Sequence, residues 1–276
     1  MKTVQILGAL GVAAVLSGVS IAAHADATLD KVKSRGSVIV GLVLSGPPFG
    51  YIDPKTQQPL GLNVDLAEDI AKRLGVKLES VAVTPATRVQ FLQQGKVDLL
   101  LANMQLNAER AELMGYIPTP YGDAGGGLIT LKSNKVTQWE DVKGKTVCVS
   151  QGSNYAKPLD EQYGANVKGL PSQPDSLLAL KGGNCFASVH DSAPLHLLVS
   201  DNPEWKDFEL PLPADLIPLP SVIWVRKGEN DFTNVIDAFV QDWYRTGWLL
   251  EITRKHRIPI TPLLEEWQAK YPVAKK

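Results

Sequence analysis

From Gly36 onward, short apolar runs alternate with amphipathic helical stretches, and this rhythm constrains the fold more than any other feature of the chain. Ser37 to Leu42 reads as a buried strand that stops at the Gly46-Pro47-Pro48-Phe49 turn. Asn63 to Leu74 carries Leu66, Ala67, Ile70, Ala71 and Leu74 on one helical face, with Gly75 as its stop. Lys77 to Val83 is a second strand, Val89 to Gln94 a short helix, and Val97 to Ala102 a third strand. Strand, helix, strand in succession implies parallel α/β units whose site lies in the loops at the carboxyl ends of the strands.

Gly125-Gly126-Gly127 leads into an extended crossing, Leu128 to Leu131, with glycine freedom at its start. A second series follows. Strand Lys145 to Ser150 enters the loop Gln151-Gly152-Ser153-Asn154, helices span about 154–163 and 175–180, and strand Phe186 to Val189 ends in His190-Asp191. Val222 to Val225 reads as a return crossing, followed by helices over Phe232 to Thr246 and Leu249 to Lys255. The expected fold is therefore α/β with two lobes, each a mostly parallel sheet flanked by helices. Residues 26–127 and 222–276 form one lobe and 128–221 the other.

The first segment stands apart from this pattern. Val4 to Ala23 is apolar and uncharged behind Met1-Lys2, and Ala23-His24-Ala25 places small residues at both outer positions of a cleavage site. That arrangement predicts an export signal peptide, residues 1–25, removed after Ala25, against the alternative of a membrane anchor. With 28 basic and 29 acidic residues the chain carries a formal charge of -1, so it has no cationic field suited to nucleic acid. Export permits a disulfide between Cys148 and Cys185, 37 residues apart, and two buried free thiols are the alternative.

Asn107 can cap the helical turn that carries Arg110, and free N–H groups beside a guanidinium suit a carboxylate. An ordinary surface arginine fits the same residues. Asp191, at the carboxyl end of an apolar strand, can receive an ammonium or simply cap the helix that begins at Ser192. His190 faces the same ligand only if the strand has already ended there.

Several stretches, in order, resemble the bacterial extracellular solute-binding proteins of family 3, the amino-acid receptors of ATP-binding-cassette importers. They include Gly36 to Gly41, Pro47 to Tyr51, Gly61 to Ala67, Ile70 to Gly75, Leu92 to Asp98, Asn107 to Arg110, Pro120-Tyr121, Asp141 to Lys145, Gln151 to Ser153 and Ala179 to Asp191. The resemblance implies a type II periplasmic binding protein, two lobes joined by two extended crossings that close over a free amino acid. It implies that Arg110 grips the α-carboxylate with N–H groups near Gln105 and Asn154, and that Asp191 takes the ammonium with a carbonyl near Ala102. Asn103, Ser153, Arg88, His190 and Phe49 complete the ligand set it implies.

This chain also departs from the family pattern at Asn103, Gln105, Asn107, Ile117-Pro118 and Phe186. Where family members that bind basic amino acids carry an acid, it has Leu42-Val43-Leu44. Arg88 falls where some acidic-amino-acid binders place an arginine, and a surface charge is the alternative for it. The expected ligand is thus polar or acidic. No cofactor, no metal and no catalytic residue is expected, and the partner is an inner-membrane permease served by a monomer. The alternatives are an exported enzyme on this scaffold, such as a cyclohexadienyl dehydratase, and a module that presents its ligand to a sensor.

Overall fold

The computed structural model describes residues 27–271, so the expected signal peptide and its cleavage site lie outside the described residues. The chain begins with α1 (Ala27–Arg35) and β1 (Ser37–Val43), then the hairpin β2 (Tyr51–Ile52) and β3 (Pro59–Leu60), α2 (Leu62–Leu74), β4 (Lys77–Val83), α3 (Arg88–Gln93), β5 (Leu99–Leu101), α4 (Ala108–Leu113) and β6 (Gly115–Tyr116). The long strand β7 (Gly122–Leu131) leads to β8 (Thr146–Ser150), α5 (Ala156–Glu161), β9 (Asn166–Leu170), α6 (Gln173–Lys181), β10 (Ala187–Asp191), α7 (Ser192–Asp201) and β11 (Phe208–Glu209). The return strand β12 (Leu216–Ser221) precedes β13 (Trp224–Val225), α8 (Asn230–Thr246), α9 (Trp248–Lys255) and α10 (Pro262–Lys270).

Two sheets divide these strands, one with order β4-β1-β5-β13-β6 and one with order β11-β7-β10-β8-β9, β12 pairing with β7. Both are mixed. Three strands in each run parallel, β4-β1-β5 and β10-β8-β9, and the strands added beyond them are antiparallel. The reason is directional: β13 enters the first sheet and β7 the second from the opposite lobe, so each runs against its neighbour. β7 and β12 pair antiparallel with each other and form the two crossings.

The elements follow the chemistry of their residues. Val38, Val40 and Leu42 are fully buried in β1, the strand between β4 and β5, and Leu99 to Leu101 bury all three side chains of β5. Truncating any of these to Ala is expected to cost about 2–5 kcal/mol. Helix α2 buries Leu66, Ala67, Ile70 and Ala71, the face read from the sequence. Its stop is Gly75 at φ 71, a left-handed position whose N–H donates to Ala71 O and Lys72 O.

Gly125, Gly126 and Gly127 act differently from the expectation. None has a positive φ, and all lie within β7. Their use is close packing: a Cβ on Gly126 would stand 3.0 Å from Tyr155 and from Val189, and one on Gly125 would strike Asp215. In the second sheet β8 and β10 are parallel neighbours, and Cys148 and Cys185 are joined in a disulfide with Cα atoms 5.9 Å apart.

Candidate functional site

The carboxyl ends of four parallel strands converge between the sheets. β1 delivers Val43, β5 leads to Ala102 and Asn103, β8 delivers Ser150 and β10 delivers Asp191, and all of these line one cavity of about 70 Å³. That is space for roughly five waters, which suits a small solute. Arg88, Gln105, Ser153, Asn154 and His190 line it as well. Eight of the ten ligand residues expected from the sequence therefore meet here.

Arg88 opens α3 and is buried, its Nη1 donating to Ala102 O at 2.7 Å. Its Nε has no acceptor among the described residues. Burial foremost, and then the charge of Arg110, pushes its pKa down to about 9, so it remains a cation at neutral pH. Asp191 ends β10 and occupies the N-cap position of α7, yet its side chain makes no capping bond. It accepts instead from the Tyr155 hydroxyl at 2.7 Å. Burial raises its pKa, while the hydrogen bond from Tyr155 and then the charges of Arg88 and Arg110 oppose that shift.

His190 and Asp191 both line the cavity although they are adjacent and both still pair with β7, so the expected early end of the strand is not what brings them together. His190 is 5% exposed, its Nε2 has no partner, and burial pushes its pKa down to about 3, so the imidazole is neutral. Asn154 Nδ2 is likewise buried without a partner. Ser153 Oγ accepts from Tyr155 N at 3.2 Å and shapes the turn. Asn103 holds a left-handed φ of 47, and its Oδ1 accepts from Asn63 Nδ2 at 2.8 Å.

Two expected ligand residues stand elsewhere. Asn107 caps α4 as expected, accepting from Arg110 N at 2.9 Å, but the Arg110 guanidinium donates to Gln105 O at 2.9 Å and to Gly152 O at 3.3 Å and does not line the cavity. It lies immediately behind the wall, where two nearby carbonyls satisfy it. Phe49 packs on the core of the first lobe and faces an adjoining groove of about 600 Å³ that shares Asn103 and Asp191 with the cavity, because its turn folds back onto α2. Gln105 lines the cavity with its amide turned towards the crossings, Nε2 donating to Ala124 O and to Ile217 O. The carbonyl of Ala102, expected for an ammonium, is held by Arg88.

Sequence reasoning missed Tyr155, which positions Asp191, and Ser150 and Gln173 on the wall. The usable signal for Tyr155 was its place five residues past the end of β8, directly after the loop Gln151 to Asn154 already marked as part of the site.

Two buried guanidiniums, one at the wall and one behind it, face a single half-buried carboxylate. The surroundings are thus net positive and rich in unused donors, suited to a solute that brings negative charge. The chain is 26% identical over 256 residues to the L-glutamate/L-aspartate-binding protein of Pseudomonas aeruginosa, covering 88% of this chain and 84% of that protein. Its structure is similar to that of an arginine-bound variant of ArgBP from T. maritima, with a TM-score of 0.72, 31% identity and coverage of 78% of this chain and 99% of that one. It is also similar to the solute receptor for L-cysteine of Neisseria gonorrhoeae, with a TM-score of 0.79, 27% identity and coverage of 86% and 98%. Residues 38–258 match the family model for bacterial extracellular solute-binding proteins, family 3, and with two lobes around a charged cavity the chain belongs to that family.

Proposed function

We propose that this protein is a periplasmic receptor that captures a free amino acid with an acidic side chain, closes two lobes over it and hands it unchanged to an ATP-binding-cassette permease. The lobes are residues 26–127 with 222–276, and residues 128–221, and the receptor acts as a monomer after removal of its signal peptide. One observation carries the reading. Among the described residues, three buried nitrogens without a partner, Arg88 Nε, Asn154 Nδ2 and His190 Nε2, all belong to residues of the one cavity, which Asp191 also lines. Arg88 comes from one sheet's side and Asp191, His190 and Asn154 from the other.

A zwitterion with a second carboxylate matches this set. Its two carboxylates offset the two guanidiniums, its ammonium meets Asp191, and the charges sum to zero. A neutral zwitterion such as glutamine leaves one positive charge uncompensated, and a basic one leaves two. Arg88 can offer Nε together with Nη2, the edge of a guanidinium that holds a carboxylate through two parallel bonds. The relatives named above are described as binding glutamate and aspartate, arginine and L-cysteine, which supports an amino acid as the solute and leaves the side chain to this chain's own charges. Release of the solute unchanged is supported by His190. An imidazole with a pKa near 3 is far from the value a general acid or base needs at neutral pH.

The test is a thermal-shift and calorimetric panel of amino acids, small dicarboxylates and prephenate on unfolded and refolded protein. A ligand at about 100 times its Kd adds roughly 2.7 kcal/mol. Glutamate or aspartate is expected to shift the midpoint most, glutamine less and arginine not at all. A response to dicarboxylates lacking an ammonium that equals the response to glutamate defeats the role of Asp191, and turnover of prephenate defeats the reading as a receptor without chemistry.

A further inference from the structure

Gln105 is 2% exposed and lies just past the carboxyl end of β5, with its backbone bridged to Ser221 at the end of β12. A side-chain amide has two N–H donors. Both are used, one on Ala124 O in β7 and one on Ile217 O in β12. These acceptors are carbonyl oxygens, so the nitrogen and not the oxygen of the amide must face them. The two carbonyls belong to the two separate crossings, and one side chain from the first lobe ties both.

The second crossing is shaped to meet it. β12 loses register against β7 between Leu216 and Leu219, and Ile217 within that irregularity has φ 38, in the left-handed region. A β-branched residue rarely adopts this conformation, and holding it costs of order 1–3 kcal/mol unless the surroundings fix it. The hydrogen bond from Gln105 to Ile217 O is one of the contacts that fix it. The same residue lines the cavity, no donor among the described residues reaches its Oε1, and its backbone carbonyl accepts from Arg110.

We infer that Gln105 is a positioning residue that couples the cavity to the hinge: its NH₂ group clasps the two crossings together while its carbonyl oxygen is left to accept from a ligand donor. With both N–H groups engaged, Gln105 cannot grip a carboxylate. A ligand ammonium or amide drawn to Oε1 fixes the orientation of the amide and strengthens the clasp, so occupancy and hinge geometry become one equilibrium. The inference rests on the proposed receptor role only for the identity of the ligand, because the clasp itself is a property of the free protein.

The test is the distance distribution between spin labels on the outer strands of the two sheets, at Glu79→Cys and Lys168→Cys, recorded without amino acid and with the native disulfide kept. Gln105→Met, similar in length and without donors, is expected to broaden that distribution and to quicken amide exchange in 122–126 and 216–221 by about tenfold or more. Arg88→Met, which removes a cavity contact and leaves the clasp, is expected to keep the parent distribution. Should Gln105→Met fail to fold, Gln105→Ser leaves room for water at the two carbonyls, and the same changes are expected from it. Parent-like distances and crossing exchange in a folded Gln105 variant overturn the inference, whatever happens to affinity. Altered distances in a protein that binds no amino acid uphold the clasp and refute the receptor reading instead.

Discussion

Replacing Arg88 with Met should move affinity and stability in opposite directions. Arg88 is buried, and its Nε has no acceptor among the described residues, so in the free protein the cation is desolvated with a single hydrogen bond to Ala102 O. Arg110 nearby adds repulsion. An apolar chain of similar volume removes the desolvation cost of a cation whose charge partner, Asp191, keeps Arg110 nearby, against about 1–3 kcal/mol for the carbonyl left unpaired. The free protein should therefore be unchanged or slightly more stable. Binding loses two charge-assisted hydrogen bonds worth about 1.5–3 kcal/mol each, or roughly 3–6 kcal/mol, which weakens the Kd about 10²- to 10⁴-fold. Removing one positive charge should also erase the preference for glutamate over glutamine. Urea denaturation and titration calorimetry on the same preparation give both numbers. Parallel loss of stability and affinity would make Arg88 a structural residue, and an affinity for glutamate within threefold of the parent would remove it from the site.

Three further outcomes follow from other parts of the molecule. Cys148→Ser with Cys185→Ser opens a loop of 37 residues and should lower stability by roughly 3–4 kcal/mol in denaturant titrations, with glutamate affinity retained at temperatures where the protein stays folded. His190 binds its proton near pH 3 when folded and near 6.5 when unfolded, so the unfolded state takes up the extra proton and stability falls as pH drops from about 6.5 towards 3, by up to ~1.4 kcal/mol per unit. Asp191, raised by burial, acts with the opposite sign, so the His190→Gln difference from the parent, measured at pH 6.5 and 4.5, isolates the histidine. An ion pair between Asp201 and Arg257 links the end of α7 to the segment after α9, with one of its contacts at 3.1 Å. Asp201→Asn should weaken ligand binding by no more than about fivefold at low salt and not at all at 0.5 M salt, as stopped-flow release rates can show.

The first lobe was legible because its strands and helices carry strong periods. The helix expected at 63–74 is found at Leu62–Leu74, and the run read as β1 is Ser37–Val43. α7 was legible only at its start, as the helix that Asp191 precedes, since Ser192-Ala193-Pro194-Leu195 begins a stretch with little polar contrast between its faces, and β9 is a five-residue edge strand with Gly169 inside it. The pair expected to clamp the solute was Arg110 with Asp191, and Arg88 entered only through the family resemblance, so the work that Arg110 and Gln105 do in the structure was not legible. Both depend on carbonyls distant in sequence, Gly152 O for one and Ile217 O for the other, which no local pattern reveals.

The approach of Gly152 to Pro85 sets a limit of a different kind. Gly152 has φ 78, and a Cβ there would stand 2.5 Å from Pro85 O, so main chain from one lobe rests almost directly on main chain from the other. If the lobes close as proposed, closure ends on this backbone contact and not on the solute. The enclosed space is the same whichever molecule lies inside, and selection by size becomes a threshold instead of a gradient. A compound with the right charges but one side-chain atom too many would still be gripped by the half-site of each lobe and would prop them apart. Such a compound would act as an antagonist, occupying the receptor while withholding the closed shape that a permease must recognise.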